Sequence, residues 1–366
     1  MERQNCKMIS SAPNIERNVW RRLRRNKGAM FGIVIIAISI LIAIFCYFIA
    51  VDSTPNANRM VVEIAAKKPG YRQQFLKIFS SNKNRDGFFT RLISGRSDAS
   101  VYIPITGYSI KGDSIQIDKF IGVGISEKQM YYFPDKKSYE IISVRYLLGT
   151  DKYGRDILSR LLVGVRVSLA VGLITVLISL TIGVTLGALA GYFRGWVDDV
   201  IMWLINVIWS IPTLLLVFAT TLVLGKGFWQ VFIAIGLTMW VGVARIIRGQ
   251  VLSVREMDYV EAARALGYRN SRIIFRHILP NVMGPVLVIS ASGFATAIVI
   301  EAGLSFLGVG VQPPQPSWGL MIKENYNFII THNPALALAP GIAIMLLVLA
   351  FNLLGNGLRD ALEVRN

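Results

Sequence analysis

The stretch Ala29–Val51, AMFGIVIIAISILIAIFCYFIAV, decides the class of this chain. It contains no acid and no base. A helix rises about 1.5 Å per residue, so roughly 20 apolar residues cross a hydrocarbon core about 30 Å thick. Each central Ile, Leu, Val or Phe favours insertion by about 0.3–0.6 kcal/mol, which sums to several kcal/mol. The run is too long for the apolar region of a cleaved signal peptide, and no clean small-x-small site follows it. Phe45 before Cys46 also departs from a lipoprotein signal. The expectation is an uncleaved transmembrane helix over 29–51, preceded by a basic tail over 1–28.

Five more apolar runs follow, near 166–191, 200–224, 228–247, 281–303 and 335–355. The reading is an all-α integral membrane protein with about six transmembrane helices. Composition agrees: of 366 residues, 53% are hydrophobic and only 17% charged, against about a quarter charged in soluble domains. The formal net charge of +17 raises nucleic acid as a partner. The bases stand in short blocks beside apolar runs, however, which is how membrane proteins set their orientation. Membrane lipid is the expected surrounding, and no nucleic acid is expected. Cys6 and Cys46 suggest neither a disulfide framework nor a metal site. Pro212, Pro285 and Pro340 interrupt three of the runs; ordinary kinks and breaks beside a wet cavity both remain open.

Basic residues in short loops orient the spans. Arg17, Arg21, Arg22, Arg24, Arg25 and Lys27 precede the first, and Arg245 to Arg276 crowd the connection between the fourth and fifth. The loop at 225–227 offers only Lys226, and 304–334 only Lys323. The positive-inside rule then puts both termini and the 248–280 loop in the cytoplasm of a multi-pass protein. Residues 52–147 fall outside; they are basic too, but long loops cross largely regardless of charge. Ser114–Ile117 and Tyr139–Val144 alternate as strands do, between turn signals at Lys111-Gly112-Asp113 and Pro134-Asp135. The expectation is a small external α+β insertion; a partly ordered loop is the alternative. The remaining helical core, with five of the transmembrane helices, would occupy 148–366.

The stretch SVREMDYVEAARALGYRNSRIIFRHILP, 253–280, is the most informative for function. Ser253 and Glu256 have capping-box spacing, which predicts a helix start there. Ala262, Ala263 and Ala265 keep that helix slim, and Gly267 is placed to end it in a left-handed conformation. Asn270 or Ser271 then caps a second short helix carrying Ile273, Ile274 and Ile278, and Pro280 opens the next span. Two short helices joined at a glycine make a compact cytoplasmic knob, fit for docking a partner or for lying at the interface.

Here the sequence resembles a known family. Glu261-Ala262-Ala263, then Gly267, then Leu279-Pro280 is similar to the EAA loop of ABC-importer permease subunits. One departure is His277, where the general pattern has isoleucine; the form Arg276 to Asn281, RHILPN, is similar to that of dipeptide and oligopeptide permeases. LGTDKYGRDILSR (148–160), GYFRGWVDD (191–199) and EAGLSFLGVGVQPPQPSWG (301–319) resemble further segments of the C-type permeases of the dipeptide, oligopeptide and nickel group. The resemblance implies a type I importer permease fold, half of a translocation pathway for peptides or a related small solute. It implies coupling through 253–280, with Glu261, Ala262, Ala263, Gly267, Leu279 and Pro280 as the contact residues. Beside the lipid already expected, it implies three kinds of companion: a second, B-type permease, two ATP-binding subunits carrying ATP and Mg, and an external substrate-binding protein. The chain itself would bind no cofactor.

Enzymatic chemistry finds little support. There is no GxxxxGK[ST] phosphate loop, no HExxH and no Gly-x-Ser-x-Gly. His277 and His332 are isolated and read as loop residues. Glu301, an acid ending the fifth apolar run, is a pathway candidate by default, with a wet interfacial position as the alternative. Asn206, Trp209 and Ser210, just before Pro212, are pathway candidates or interhelical hydrogen-bond partners. Asp151, Arg155 and Asp156 suit local ion pairs of small energetic weight if exposed. The prolines at 313, 314 and 316 exclude helix interior, so 308–319 is expected to be irregular backbone packed on the outer face of the bundle. A stand-alone secondary carrier would show inverted repeats and mid-span ionisable residues, neither of which is evident. An ABC assembly for signalling or export is the remaining rival.

Overall fold

Asn26 fixes where the first span begins. Its side-chain oxygen accepts from Ala29 N at 3.1 Å, a helix N-cap, and its amide donates to Asp360 Oδ2 at 3.0 Å. The basic helix α1 (Ala12–Arg25) ends just before it, and α2 (Lys27–Ile49) is the first span. The computed structural model describes residues 12–79, 87–96, 98–134, 138–225, 227–331 and 333–362. Cys6, Asp135, Lys226 and His332 therefore lie outside the described residues.

The second span is α4 (Ile157–Phe193), 37 residues long. Asp156 caps it by accepting from Ser159 N at 2.9 Å. It starts nine residues before the apolar run because Arg160 is buried inside the protein and needs no aqueous loop. The third run differs from a single helix: α5 (Gly195–Trp209) and α6 (Thr213–Leu224) meet at 91°. Pro212 has no N–H to continue the ladder and forces Ile211 away from helical geometry. By contrast, Pro285 and Pro340 lie within the continuous helices α10 (Leu279–Leu307) and α13 (Ala335–Leu362). α7 (Phe228–Arg255), α8 (Asp258–Ala265) and α9 (Asn270–Ile273) precede α10, and α11 (Trp318–Asn325) and α12 (Phe328–Thr331) stand between α10 and α13. Among the described residues five helices are long and apolar enough to cross a membrane, or six if α5 and α6 form one broken span.

The α4–α7 pair is the spine of the bundle. Gly183, Gly187 and Gly191, four residues apart, put a bare stripe of α4 against α7. A methyl at Gly187 would lie 2.5 Å from the Ala244 carbonyl oxygen, and one at Gly183 2.6 Å from Val243 Cβ. Lipid gives no hydrophobic drive for helix association, so such close backbone approach supplies dispersion contacts instead. α10 and α13 pack beside this pair, with Phe294 and Phe351 stacked at 4.7 Å between ring centres.

The insertion between the first two spans is a five-stranded antiparallel sheet, ordered β4-β3-β2-β1-β5. Its strands are β1 (Tyr71–Ile78), β2 (Val101–Lys111), β3 (Ser114–Gly122), β4 (Ile125–Tyr132) and β5 (Tyr139–Tyr146), with α3 (Phe88–Ser94) between β1 and β2. The Lys111–Ser114 connection turns at Gly112, whose φ of +63° favours glycine. One buried cluster holds Phe75, Phe120 and Tyr146 against Val61 and Ile64; a second holds Leu76, Ile103, Ile105, Ile115 and Ile117. Asp52, at the end of the first span, ties the insertion down: it accepts from Thr54 N and Arg59 N, while its own N–H donates to Ser159 Oγ at 3.0 Å.

Candidate functional site

At the end of the bundle away from the sheet, the knob differs from its expected form in two ways. Ser253 lies inside α7, which runs to Arg255, so Ser253 and Glu256 form no capping box. Span four simply continues past the point where its apolar run stops, and Glu256 instead pairs with Arg194 at the surface. The short helix α8 begins at Asp258, without a side-chain cap. The second helix is also not separate: α9 runs through a π-turn, Ile274–Ile278, into α10. Pro280 cannot donate a backbone hydrogen bond, and Leu279 N reaches back five residues to Ile274 O.

Gly267 ends α8 as expected, at φ +75°. Tyr268 N donates to Ala263 O at 3.2 Å and Gly267 N to Arg264 O at 3.0 Å, the paired bonds of a Schellman cap. The cap divides α8 into two faces. Val260 and Ala263 are buried in one cluster with Ile247 and Val251 of α7, Tyr192 of α4, and Ile273, Ile278 and Val282 at the root of α10. Tyr192 OH adds a hydrogen bond to Asn270 Oδ1 at 2.8 Å. The other face presents Glu261, Ala262 and Leu266, the last 72% exposed. Leu279 packs against the same cluster and Pro280 sets the π-turn, so both shape the base of the knob rather than its tip. A force on the exposed face therefore reaches three long helices through packed side chains.

The pathway candidates fall in two places. Asn206, Trp209 and Ser210 are exposed at the 91° break, where Ser210 Oγ donates to Val207 O and Arg245 stacks 4.4 Å from the Trp209 ring. Glu301 is only 1% exposed, and Ser305 Oγ donates to its carboxylate at 2.6 Å. Ser305 Oγ in turn accepts from Val311 N, so the acid anchors the irregular segment that follows α10. The irregular stretch ends at Ser317, two residues short of the expected 319, because Ser317 caps α11; Val311, Ser317 and Trp318 are buried, and Trp318 Nε1 donates to Leu161 O at 3.1 Å.

Sequence reasoning missed a buried charge network at the sheet end. Asp151 and Arg155 are not an exposed pair. Their 2.6 Å contact is buried, and Arg155 Nη2 also donates to Glu324 Oε2 at 2.7 Å. Arg160, fully buried, stands 3.7 Å from Glu324 and 4.0 Å from Asp151. Two arginines and two acids thus join the start of α4 to α11 across 169 residues of sequence, a partnership no local signal carries. The glycine stripe of α4 and exposed Leu266 were also overlooked, although the four-residue glycine spacing was readable.

Comparison with known proteins completes the assignment. Residues 183–366 match the model of the family described as binding-protein-dependent transport system inner membrane component. Residues 17–67 match that of the N-terminal TM domain of oligopeptide transport permease C. The chain is 43% identical over 232 residues to the glutathione transport system permease protein GsiD of Pectobacterium atrosepticum, covering 63% of this chain and 77% of that one. It is 43% identical over 221 residues to the dipeptide transport system permease protein DppC of Alkalihalophilus pseudofirmus, covering 60% and 72%. Among solved structures, an inward-facing form of the MetNI methionine ABC transporter matches with a TM-score of 0.48 and 18% identity, over 56% of this chain and 96% of the other. The sheet strands β1–β5 lie outside both family-matched stretches. On the family match and these relatives, the chain belongs to the binding-protein-dependent transport system inner membrane components, as a permease subunit of an ABC importer.

Proposed function

We propose that this permease carries small peptides and takes its driving force from ATP-binding subunits seated on the exposed face of α8. The two-faced build of that helix supports the reading best: Val260 and Ala263 lock it to α4, α7 and α10, while Glu261, Ala262 and Leu266 face outward. The companions are a B-type permease that supplies the other half of the pathway, two ATP-binding subunits that hold ATP and Mg, and an external substrate-binding protein. Both termini and α8 then lie in the cytoplasm, and the sheet lies outside. Closure of the ATPases on ATP moves α8 as a rigid body, and the helices behind it switch the pathway between outward- and inward-facing states. Glu261, Ala263 and Gly267 carry that motion: the first through contact, the other two through the geometry of the helix. The peptide class rests on the relatives named for glutathione and dipeptide transport.

The test is uptake of labelled dipeptides and of glutathione by vesicles holding the complete assembly and its binding protein. Accumulation that needs both ATP and binding protein supports the reading. Accumulation driven by an ion gradient without ATP overturns the energy source, and failure of both solutes overturns the substrate class.

A further inference from the structure

The helix α3 is unlike the rest of the insertion. Its sequence, FFTRLIS, is short and apolar, and Phe88, Phe89 and Ile93 are exposed, Phe89 by 75%. Water is a poor neighbour for three large apolar side chains in seven residues, and a contiguous patch of this kind marks an interaction surface. Its position says what that surface meets. Phe88 contacts Phe48, near the end of the first span, at 5.8 Å between ring centres. Arg166 Nη1 donates to Ile93 O at 2.8 Å and Leu92 O at 3.3 Å, so the C-terminal end of α3 is fastened to α4. Arg166 is the last charge on α4 before an uncharged run that reaches Phe193. Side chains of this type sit where hydrocarbon gives way to headgroups. α3 therefore lies at the level of that boundary.

Beneath α3, between α2 and α4, is a groove of about 370 Å³. Ile40, Ala43, Ile44, Leu92, Leu169 and Leu173 line it, and among the described residues Arg166 is the charged wall residue. Apart from the α3 residues, the apolar walls belong to two membrane spans, so the groove opens into the hydrocarbon. Next to lining residue Leu92 on α3, the Arg91 guanidinium stands 5.2 Å from the Phe48 ring, and its buried Nε has no hydrogen-bond partner among the described residues. Apolar walls, one cation in the wall and a second on α3 beside it match one chemistry: an acyl chain joined to a phosphate.

We propose that α3 is an interfacial anchor of the insertion, and that the groove between α2, α3 and α4 binds one glycerophospholipid of the surrounding bilayer. The acyl chain lies along Ile40, Ile44 and Leu173, and the phosphate faces Arg91 and Arg166. Phe88, Phe89 and Ile93 enter the same leaflet beside it, which holds the sheet at a fixed height over the bundle. This assignment is independent of the solute carried.

The experiment uses the complete transporter with an environment-sensitive fluorophore on a single cysteine at Phe89→Cys, in a Cys6→Ser/Cys46→Ala background. It is reconstituted in vesicles of phosphatidylethanolamine and phosphatidylglycerol, with and without bromine on the acyl chains. Brominated chains are expected to quench the fluorophore at least twofold, and aqueous iodide to leave it nearly unchanged. Native mass spectrometry after mild delipidation is expected to retain one more phospholipid per assembly in the unaltered protein than in Ala43→Phe, which puts a ring into the groove from its α2 wall, or in Arg91→Ala. Quenching by iodide would place α3 in water and overturn the anchor. Protection from both quenchers would mean that a protein partner covers it, which overturns the lipid assignment, as would an unchanged lipid count in both variants.

Discussion

Replacing Gly267 separates backbone from charge at the end of α8, where the proposed coupling contact lies. A methyl built at this position meets nothing within 4 Å, so a side chain costs no steric clash. The entire penalty comes from φ +75°. Alanine there costs about 1–2 kcal/mol, a β-branched residue more, and asparagine or aspartate less, because they tolerate the left-handed region. A bias of 1–2 kcal/mol shifts the equilibrium between the closed and opened cap by a factor of about 5–30. Opening releases the Tyr268 N–H from Ala263 O and loosens Tyr268, which stacks on His277 at 6.0 Å. Gly267→Asn should keep the solute moved per ATP near the parent value, and Gly267→Val should lower it several-fold. Gly267→Asp, with the same backbone tolerance as Asn, isolates the effect of a negative charge on the docking face, and is expected to uncouple hydrolysis from uptake. The assay measures uptake and phosphate release together on one reconstituted sample, after insertion of each variant has been verified. Parent coupling in both Gly267→Val and Gly267→Asp would refute the role given to this cap.

Neighbouring alanines should part company. Ala263→Leu overfills a buried site and is expected to destabilise the chain by about 1–3 kcal/mol, read as a lowered unfolding temperature in detergent. Ala262→Leu points outward, so it should leave that temperature unchanged and weaken ATPase capture. Gly187→Leu is expected to prevent stable assembly of α4 with α7, because its Cβ alone would lie 2.5 Å from the Ala244 carbonyl oxygen; normal yield and unfolding temperature would contradict the packing account. Glu324→Gln leaves Arg155 and Arg160 short of a buried carboxylate. Breaking such a pair costs about 3–5 kcal/mol, so hydrogen exchange should rise in α11 and in the first turns of α4. Acid should loosen the insertion. Burial alone would raise the Asp98 carboxyl, but hydrogen bonds from Ser100 and Tyr102 and the charge of Lys77 outweigh it and hold it at about 2, below its ordinary 3.8. A depressed acid contributes stability above its unfolded value and loses it as pH falls toward the folded one. The drop corresponds to about 2 kcal/mol, lost between about pH 4 and pH 2. Hydrogen exchange in β1 and β2 should rise over that window in the parent and not in Asp98→Asn.

Much of this fold is written in local sequence. The 29–51 run needs only its own length and lack of charge to be read as a span, and the strands around Ile115, Ile117 and Ile141 show in two-residue alternation. What stayed hidden depends on distant partners. α4 starts at Ile157 because Asp151 and Glu324 accept the charge of its first turns, and Glu324 is far away in sequence. Ser253 and Glu256 have the spacing of a helix start, yet α7 runs through Ser253, since Val251 and Ile247 are held by α8 and α10. Tertiary packing outweighs a cap of about 1 kcal/mol. The short helix α8 and its glycine stop were legible from Glu261 to Gly267. Its division into buried Ala263 and exposed Ala262 follows from helical spacing, but which face turns inward required the structure.

The central claim is that the exposed face of α8 touches the ATPase. Cysteine cross-linking from Leu266→Cys and Glu261→Cys, within the complete assembly in native membranes, tests it most directly. The account predicts a cross-link from these two positions to an ATP-binding subunit, changing in yield when ATP binds, and none from a cysteine at Val123 on the sheet. Cross-links to no subunit, or equal yields from Val123, would contradict it.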